Sequence, residues 1–126
     1  MSQKILIVDD EPDIVDLISF NLKAEGYEVV TASNGLEAVN HARREHPNLI
    51  LLDLMLPELD GMAVCEILHR LPETSLIPII MLTPWKSEVS RVLGLSTGAE
   101  DYITKPFSPR DLVNRINRTL RPESKN

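Results

Sequence analysis

Apolar residues along this chain follow two rhythms: short unbroken runs, and longer stretches in which they recur every three or four positions. Unbroken runs of four to eight residues read as strands covered on both faces, and the three-to-four spacing reads as amphipathic helix. The most telling run is Asn48-Leu49-Ile50-Leu51-Leu52-Asp53-Leu54-Met55-Leu56-Pro57. It is apolar until Asp53 and breaks at Pro57, so a carboxylate stands where a buried strand emerges from its sheet. Ahead of it, Lys4-Ile5-Leu6-Ile7-Val8 is rich in β-branched residues and ends at Asp9-Asp10-Glu11. Tyr27-Glu28-Val29-Val30-Thr31-Ala32 predicts a second strand, Ile77 to Leu82 a fourth ending at Thr83, and Asp101-Tyr102-Ile103-Thr104 a short fifth.

Helical segments fill the gaps. Pro12 suits a first helical turn, Ile14, Leu17, Ile18 and Leu22 share one face, and Gly26 supplies a stop. Asn34-Gly35 opens a helix from about Leu36 to Glu45, which ends before Pro47. Beyond the turn at Asp60-Gly61, Met62 to Leu71 forms a helix with Met62, Val64, Cys65 and Leu68 available for packing. A further helix runs from about Lys86 to Ser96, closed by Gly98. The last begins after Ser108, with Pro109 at its first position and Asp111 completing an acidic variant of the capping box. Leu112, Val113, Ile116 and Leu120 give it an apolar stripe. Residues 121–126 are polar and broken by Pro122, which reads as a linker start or a frayed end after one domain of residues 1–120.

Five strands alternating with five helices predict an α/β, doubly wound (βα)5 fold with a parallel sheet and helices on both faces. The flavodoxin-like order 2-1-3-4-5 fits five strands best, and ligands in such sheets bind beyond the carboxyl ends of the strands. That order makes strands one and three neighbours, so Asp9, Asp10 and Asp53 share one crevice. Crowded carboxylates either share a proton or hold a cation, and a few protein oxygens supplemented by water suit Mg²⁺. The ends of strands four and five add the Thr83 hydroxyl and the Lys105 ammonium. A carboxylate nucleophile, a metal, a hydroxyl and an ammonium are the parts needed for phosphoryl transfer to Asp.

Composition narrows the picture. At 126 residues the chain is one domain's worth, and 43% hydrophobic with 25% charged residues is ordinary for a soluble globular protein. No apolar run approaches the roughly 18–20 residues of a membrane span. Strand-like sequence begins at once after Met1-Ser2-Gln3, leaving no room for a signal segment, and this favours the cytoplasm. A net charge of −6 argues against this domain itself gripping a nucleic-acid backbone. The lone Cys65 reads as a small buried hydrophobe. His41, His46 and His69 read as surface residues without metal-ligand spacing or pairing to Cys65.

Along practically all of its length the chain resembles the receiver domains of bacterial two-component response regulators. Asp9-Asp10, Asp53 within Leu-Leu-Asp-Leu-Met-Leu-Pro, Thr83 and Lys105-Pro106-Phe107 carry the likeness, each at its expected strand end. The run Gly98 to Pro109 looks like the PhoB/OmpR branch, whose members join a receiver to a winged-helix DNA-binding domain, and no such domain is in this chain. The resemblance implies a phosphoacceptor rather than an enzyme. By it, Asp53 takes a phosphoryl group from a sensor histidine kinase. Asp10, Asp53 and the main-chain carbonyl of Met55 hold Mg²⁺, with Asp9 supporting the metal through water. Thr83 and Lys105 bind phosphoryl oxygens, and Thr83 and Tyr102 form the switch. Lys105-Pro106 is expected to be cis.

On activation a symmetric homodimer is expected through the helix before strand five, strand five and the last helix. Val92, Leu95 and Val113 would form its apolar centre, ringed by Arg91, Glu100, Asp101, Asp111, Arg115 and Arg118. DNA would be reached only through the missing C-terminal domain, with no membrane partner. Two positions depart from the family pattern: Pro84 stands where a small residue is usual, followed by the only tryptophan, Trp85. Two other readings stay open, a degenerate receiver acting as a constitutive interaction module and a small phosphatase of the haloacid dehalogenase type. The phosphatase expects a second Asp two residues after the nucleophile, where Met55 stands.

Overall fold

The computed structural model describes residues 2–84 and 98–121. In chain order they form β1 (Lys4–Val8), α1 (Pro12–Ala24), β2 (Glu28–Ala32), α2 (Gly35–Glu45), β3 (Leu49–Asp53), α3 (Gly61–Arg70), β4 (Ile79–Thr83), β5 (Asp101–Thr104) and α4 (Pro109–Leu120). The helix expected from Lys86 to Ser96, with Trp85, Arg91, Val92 and Leu95, lies outside the described residues. The strands make one parallel sheet in the order β2-β1-β3-β4-β5, the flavodoxin-like order expected from the alternation of elements.

Alternate residues of each strand feed two separate cores. Leu6, Val8, Ile50, Leu52, Ile79 and Met81 face α2 and α3, where they meet Ala38, Ala42, Val64, Cys65 and Leu68. Ile5, Ile7, Leu49, Leu51, Ile80 and Leu82 face α1 and α4 and meet Ile18, Leu22, Leu112, Val113 and Ile116. Each fully buried Leu or Ile contributes about 1.5–3 kcal/mol relative to exposure, which is why β3 and β4 are apolar until their last residues, Asp53 and Thr83, and β1 is apolar after Lys4. Side-chain caps fix three helix starts: Asn34 accepts from the Glu37 N–H, Asp60 from the Ala63 N–H and Ser108 from the Asp111 N–H.

Several element edges differ from the periodicity reading. Tyr27 is buried but precedes β2, because its N–H donates to Leu22 O and closes α1 instead of joining the ladder. Ile77 donates to Thr74 O in a turn, so β4 starts two residues late and extends through Thr83, which pairs with Thr104. Capping by Asn34 and Asp60 brings Gly35 and Gly61 into the first turns of their helices.

Cys65 and His69 correct another expectation. One helical turn apart on α3, they approach to 3.7 Å between Sγ and Nδ1.

Candidate functional site

Four strand ends carry the chemistry. Val8 pairs with Leu52 across β1 and β3, so Asp9 leaves its strand beside Asp53, the last residue of β3. Asp9 and Asp53 are buried at 1% and 2% exposure, whereas Asp10 faces solvent. The three residues each offer a carboxylate oxygen, and these atoms lie within 4.8 Å of one another. Thr83 is fully buried at the end of β4, and Lys105 follows β5, its N–H donating to Thr83 O at 2.7 Å. The Lys105-Pro106 peptide bond is cis.

Lys105 ties the cluster together. Its Nζ lies 3.0 Å from Asp9 Oδ2 and 3.5 Å from both Asp53 Oδ2 and Glu11 Oε1. Glu11 had no role assigned from sequence, although it is the third acid of the run Asp9-Asp10-Glu11 that signalled the site. Main-chain donors hold the two buried carboxylates: the Glu11 N–H reaches Asp9 Oδ1 at 2.9 Å, and the Met55 N–H reaches Asp53 Oδ1 at 3.1 Å. These bonds fix where the acids point and leave other oxygen lone pairs for a cation or a phosphoryl group.

Opposing forces act on the two charges. Burial pushes the Asp53 carboxyl above the usual Asp value, helped by the charge of Asp9, while the Met55 N–H and Lys105 pull the other way. Burial alone would lower the Lys105 pKa, but its hydrogen bond to Asp9 and the charges of Asp53, Asp9 and Glu11 together hold it above the ordinary lysine value. One ammonium thus partly balances several acids. A net negative pocket built from hard oxygen donors remains, and that donor set fits Mg²⁺.

Beside the acids, Asp10, Leu54, Met55, Leu56, Pro57, Asp60 and Met62 line a cavity of about 430 Å³, with Met55 56% exposed. Pro84 is exposed just after Thr83. Tyr102 is half-buried and packs against the α2/α3 core, and its carbonyl accepts from Arg115 Nη1 at 3.1 Å.

Of the surface expected to mediate dimerisation, Glu100, Asp101, Asp111, Val113, Arg115 and Arg118 are described. Val113, offered as part of an apolar centre, is only 8% exposed and is spent on the α1/α4 core, because its side of the helix faces the sheet. Arg115 pairs within its own chain, Nη1 with Asp101 at 3.0 Å and Nε with Asp111 at 3.1 Å. Glu100, Asp111 and Arg118 are exposed.

Comparison with known proteins agrees with this arrangement. A family model for the response regulator receiver domain matches residues 5–117. The chain is 51% identical over 121 residues to the alkaline phosphatase synthesis transcriptional regulatory protein PhoP of Bacillus subtilis (strain 168), covering 96% of this chain and 50% of that protein. It therefore spans about half the length of that relative.

Among solved structures, chemotaxis response regulator CheY4 of Vibrio cholerae superposes with a TM-score of 0.90 at 32% identity, over 95% of this chain and 100% of that one. The receiver domain of a sensor histidine kinase from Pseudomonas aeruginosa PAO1, with a magnesium ion coordinated in its active site cleft, gives 0.84 at 33% identity, over 95% and 98% of the two chains. Thermotoga maritima DrrB, an OmpR/PhoB homolog, gives 0.85 at 35% identity, over 98% of this chain and 54% of that one. The family match runs from the first strand into the last helix and so takes in the acids, the hydroxyl and the lysine at the strand ends: the chain belongs to the response regulator receiver domain family.

Proposed function

We propose that this domain is a phosphorylation switch in which Asp53 accepts a phosphoryl group from a histidine of a sensor kinase. The observation that carries this reading is the convergence of Asp9, Asp10 and Asp53 with Lys105 at the carboxyl edge of the sheet. In the transfer an Asp53 carboxylate oxygen attacks phosphorus, the bond from phosphorus to the imidazole nitrogen breaks, and its electron pair stays on the imidazole. The Lys105 ammonium, 3.5 Å from Asp53 Oδ2, turns toward the new phosphoryl oxygens, and the Thr83 hydroxyl donates to one of them. Asp10, Asp53 and the Met55 carbonyl would hold Mg²⁺, with Asp9 supporting it through water. When bound, the metal offsets the charge that the carboxylates and phosphoryl oxygens bring together.

Phosphorylation then acts as a local charge change read by a bistable face. Movement of Thr83 draws Tyr102 inward and reshapes the surface of β5 and α4. The output would be transcription, through a DNA-binding domain not contained in these residues; the likeness to PhoP and to DrrB supports this branch. No described helix is long and apolar enough to cross a membrane, and the proposed setting is the cytoplasm.

Two copies would pair through the reshaped face, with Arg115 exchanging Asp101 or Asp111 of its own chain for those of a second copy. Sedimentation with and without beryllofluoride checks this: a shift toward dimer abolished by Arg115→Glu is expected, and an unshifted distribution at high concentration contradicts it. The acceptor itself is tested by incubation with acetyl phosphate and Mg²⁺. The wild type should acquire an acid-stable, hydroxylamine-labile label, and equal labelling of Asp53→Ala refutes the assignment.

A further inference from the structure

The loop between β3 and α3 is held between two helix starts. Leu54 N–H donates to Leu82 O at 2.8 Å, and Gly61 N–H returns to Leu54 O at 2.9 Å. Gly61 is the first residue of α3, directly after its cap Asp60. A Cβ at Gly61 would press into the main-chain carbonyl oxygen of Asp53 and stand 2.7 Å from Leu54 Cα. These are backbone atoms, which cannot swing aside as a flexible side chain does.

On the other flank Gly35 opens α2 directly after its cap Asn34. A Cβ there would lie 2.8 Å from Leu59 O and 2.8 Å from a Val64 methyl. Neither glycine has a positive φ, so each is required by closeness and not by its own backbone conformation. Between them Glu58 adopts φ 67°, uncommon for a residue with a side chain.

We infer that Gly35 and Gly61 are positioning residues for the acceptor site. Their missing side chains let the first turns of α2 and α3 close onto residues 54–60, and this sets where Asp53 and Met55 stand relative to Asp9 and Asp10. The link to the chemistry is direct: Asp53 Oδ1 accepts from the Met55 N–H at 3.1 Å, so a displaced loop carries the carboxylate with it. The inference rests on the proposed function, because it reads the displacement as a loss of Mg²⁺ binding.

An NMR titration with MgCl2, following the Met55 amide in the wild type, Gly61→Ala, Gly35→Ala and Gly26→Ala, tests it alongside urea melts in EDTA. Gly26 is the control: at φ 93° an alanine is strained, yet its Cβ would meet nothing within 4 Å, so stability falls without disturbing the loop. The Mg²⁺ dissociation constant should rise about 10–100-fold in Gly61→Ala, the range seen when a group that orients a metal ligand is lost. The rise should be smaller in Gly35→Ala, where the Val64 methyl can yield, and adding Val64→Ala should recover part of it. Gly26→Ala should bind as the wild type does.

An unchanged constant in folded Gly61→Ala or Gly35→Ala, or equal weakening in Gly26→Ala, overturns the inference. Should Gly61→Ala not fold, Gly35→Ala with and without Val64→Ala decides by the same criteria. A wild-type chain that binds no Mg²⁺, or whose binding survives Asp53→Ala, would instead contradict the proposed function, and this separates the two failures.

Discussion

Lys105 Nζ lies 3.0 Å from Asp9 Oδ2, nearer than the 3.5 Å that separates it from Asp53 Oδ2. The ammonium is committed first to the acid that is not the proposed acceptor, and on the proposed mechanism it is redirected when a phosphoryl group arrives on Asp53. Removing it leaves two buried carboxylates without their cation. Lys105→Ala should therefore destabilise the metal-free domain by about 1–3 kcal/mol in urea melts, the cost of buried polar groups losing a partner. Saturating Mg²⁺ should recover part of that loss. The raised Lys105 pKa means its contribution is full below the ordinary lysine range and disappears as pH climbs through the folded value. The gap between wild type and variant should accordingly narrow only in strong alkali.

Asp53 carries the opposite consequence. Its carboxyl is held above the usual Asp value chiefly by burial, so the folded state binds that proton more tightly than the unfolded chain does. Stability from this group is full below the unfolded pKa and lost as pH rises through the folded one, which leaves a penalty at neutral pH. Asp53→Asn should therefore melt at a higher temperature than the wild type in EDTA at pH 7, with the difference shrinking on acidification. A lower melting temperature for the variant at neutral pH would contradict the burial of a charge that Lys105 and the Met55 N–H only partly balance. With Mg²⁺ present the order should narrow or reverse, since only the wild type keeps the full set of ligands.

Much of this site was legible from the chain because buried parallel strands must be apolar on both faces. A carboxylate that ends such a run, as Asp53 ends Leu49-Ile50-Leu51-Leu52, marks the sheet's edge, and strand order then brings Asp9 and Asp10 alongside. Side-chain direction within a helix was harder to read. Val113 and Arg115 are two residues apart on α4 yet face the core and the β5 edge respectively, and periodicity fixes the stripe without saying which neighbour covers its margin. Long-range fits such as Gly61 against the Asp53 carbonyl, or Arg121 over the Tyr27 ring at 4.9 Å, leave no local pattern. The contact of Cys65 with His69 was available from their four-residue spacing and was missed.

Cys65 should behave as a core atom. It is fully buried, and burial pushes its thiol up to about 11, so almost no thiolate exists at neutral pH. Alkylation by iodoacetamide under native conditions should proceed only as the domain opens, and it should accelerate steeply with urea through the unfolding transition. Rapid modification of the folded protein would show that α3 does not cover the sulfur.

Pro84 should make the switch sluggish. The resemblance to receiver domains implies that the main-chain N–H after Thr83 donates to a phosphoryl oxygen, and Pro84 has none. A hydrogen bond to a charged acceptor contributes about 1.5–3 kcal/mol, which corresponds to roughly ten- to a hundredfold in the phosphorylated population. Pro84→Ala should raise the extent of labelling by acetyl phosphate and strengthen any linked dimerisation. If level, rate and lifetime of the adduct are all unchanged, the missing donor has no consequence here.

Asp53 is proposed as the acceptor, with chemistry that depends on a metal held by the acids around it. Site mapping tests this most directly: the protein is treated with acetyl phosphate in Mg²⁺ or in EDTA, the acyl phosphate is reduced with borohydride, and the peptides are sequenced by mass spectrometry. The expected result is reduction at Asp53 alone, present with Mg²⁺ and absent with EDTA. A modified residue other than Asp53, or modification of Asp53 that is equal with and without the metal, would contradict the account.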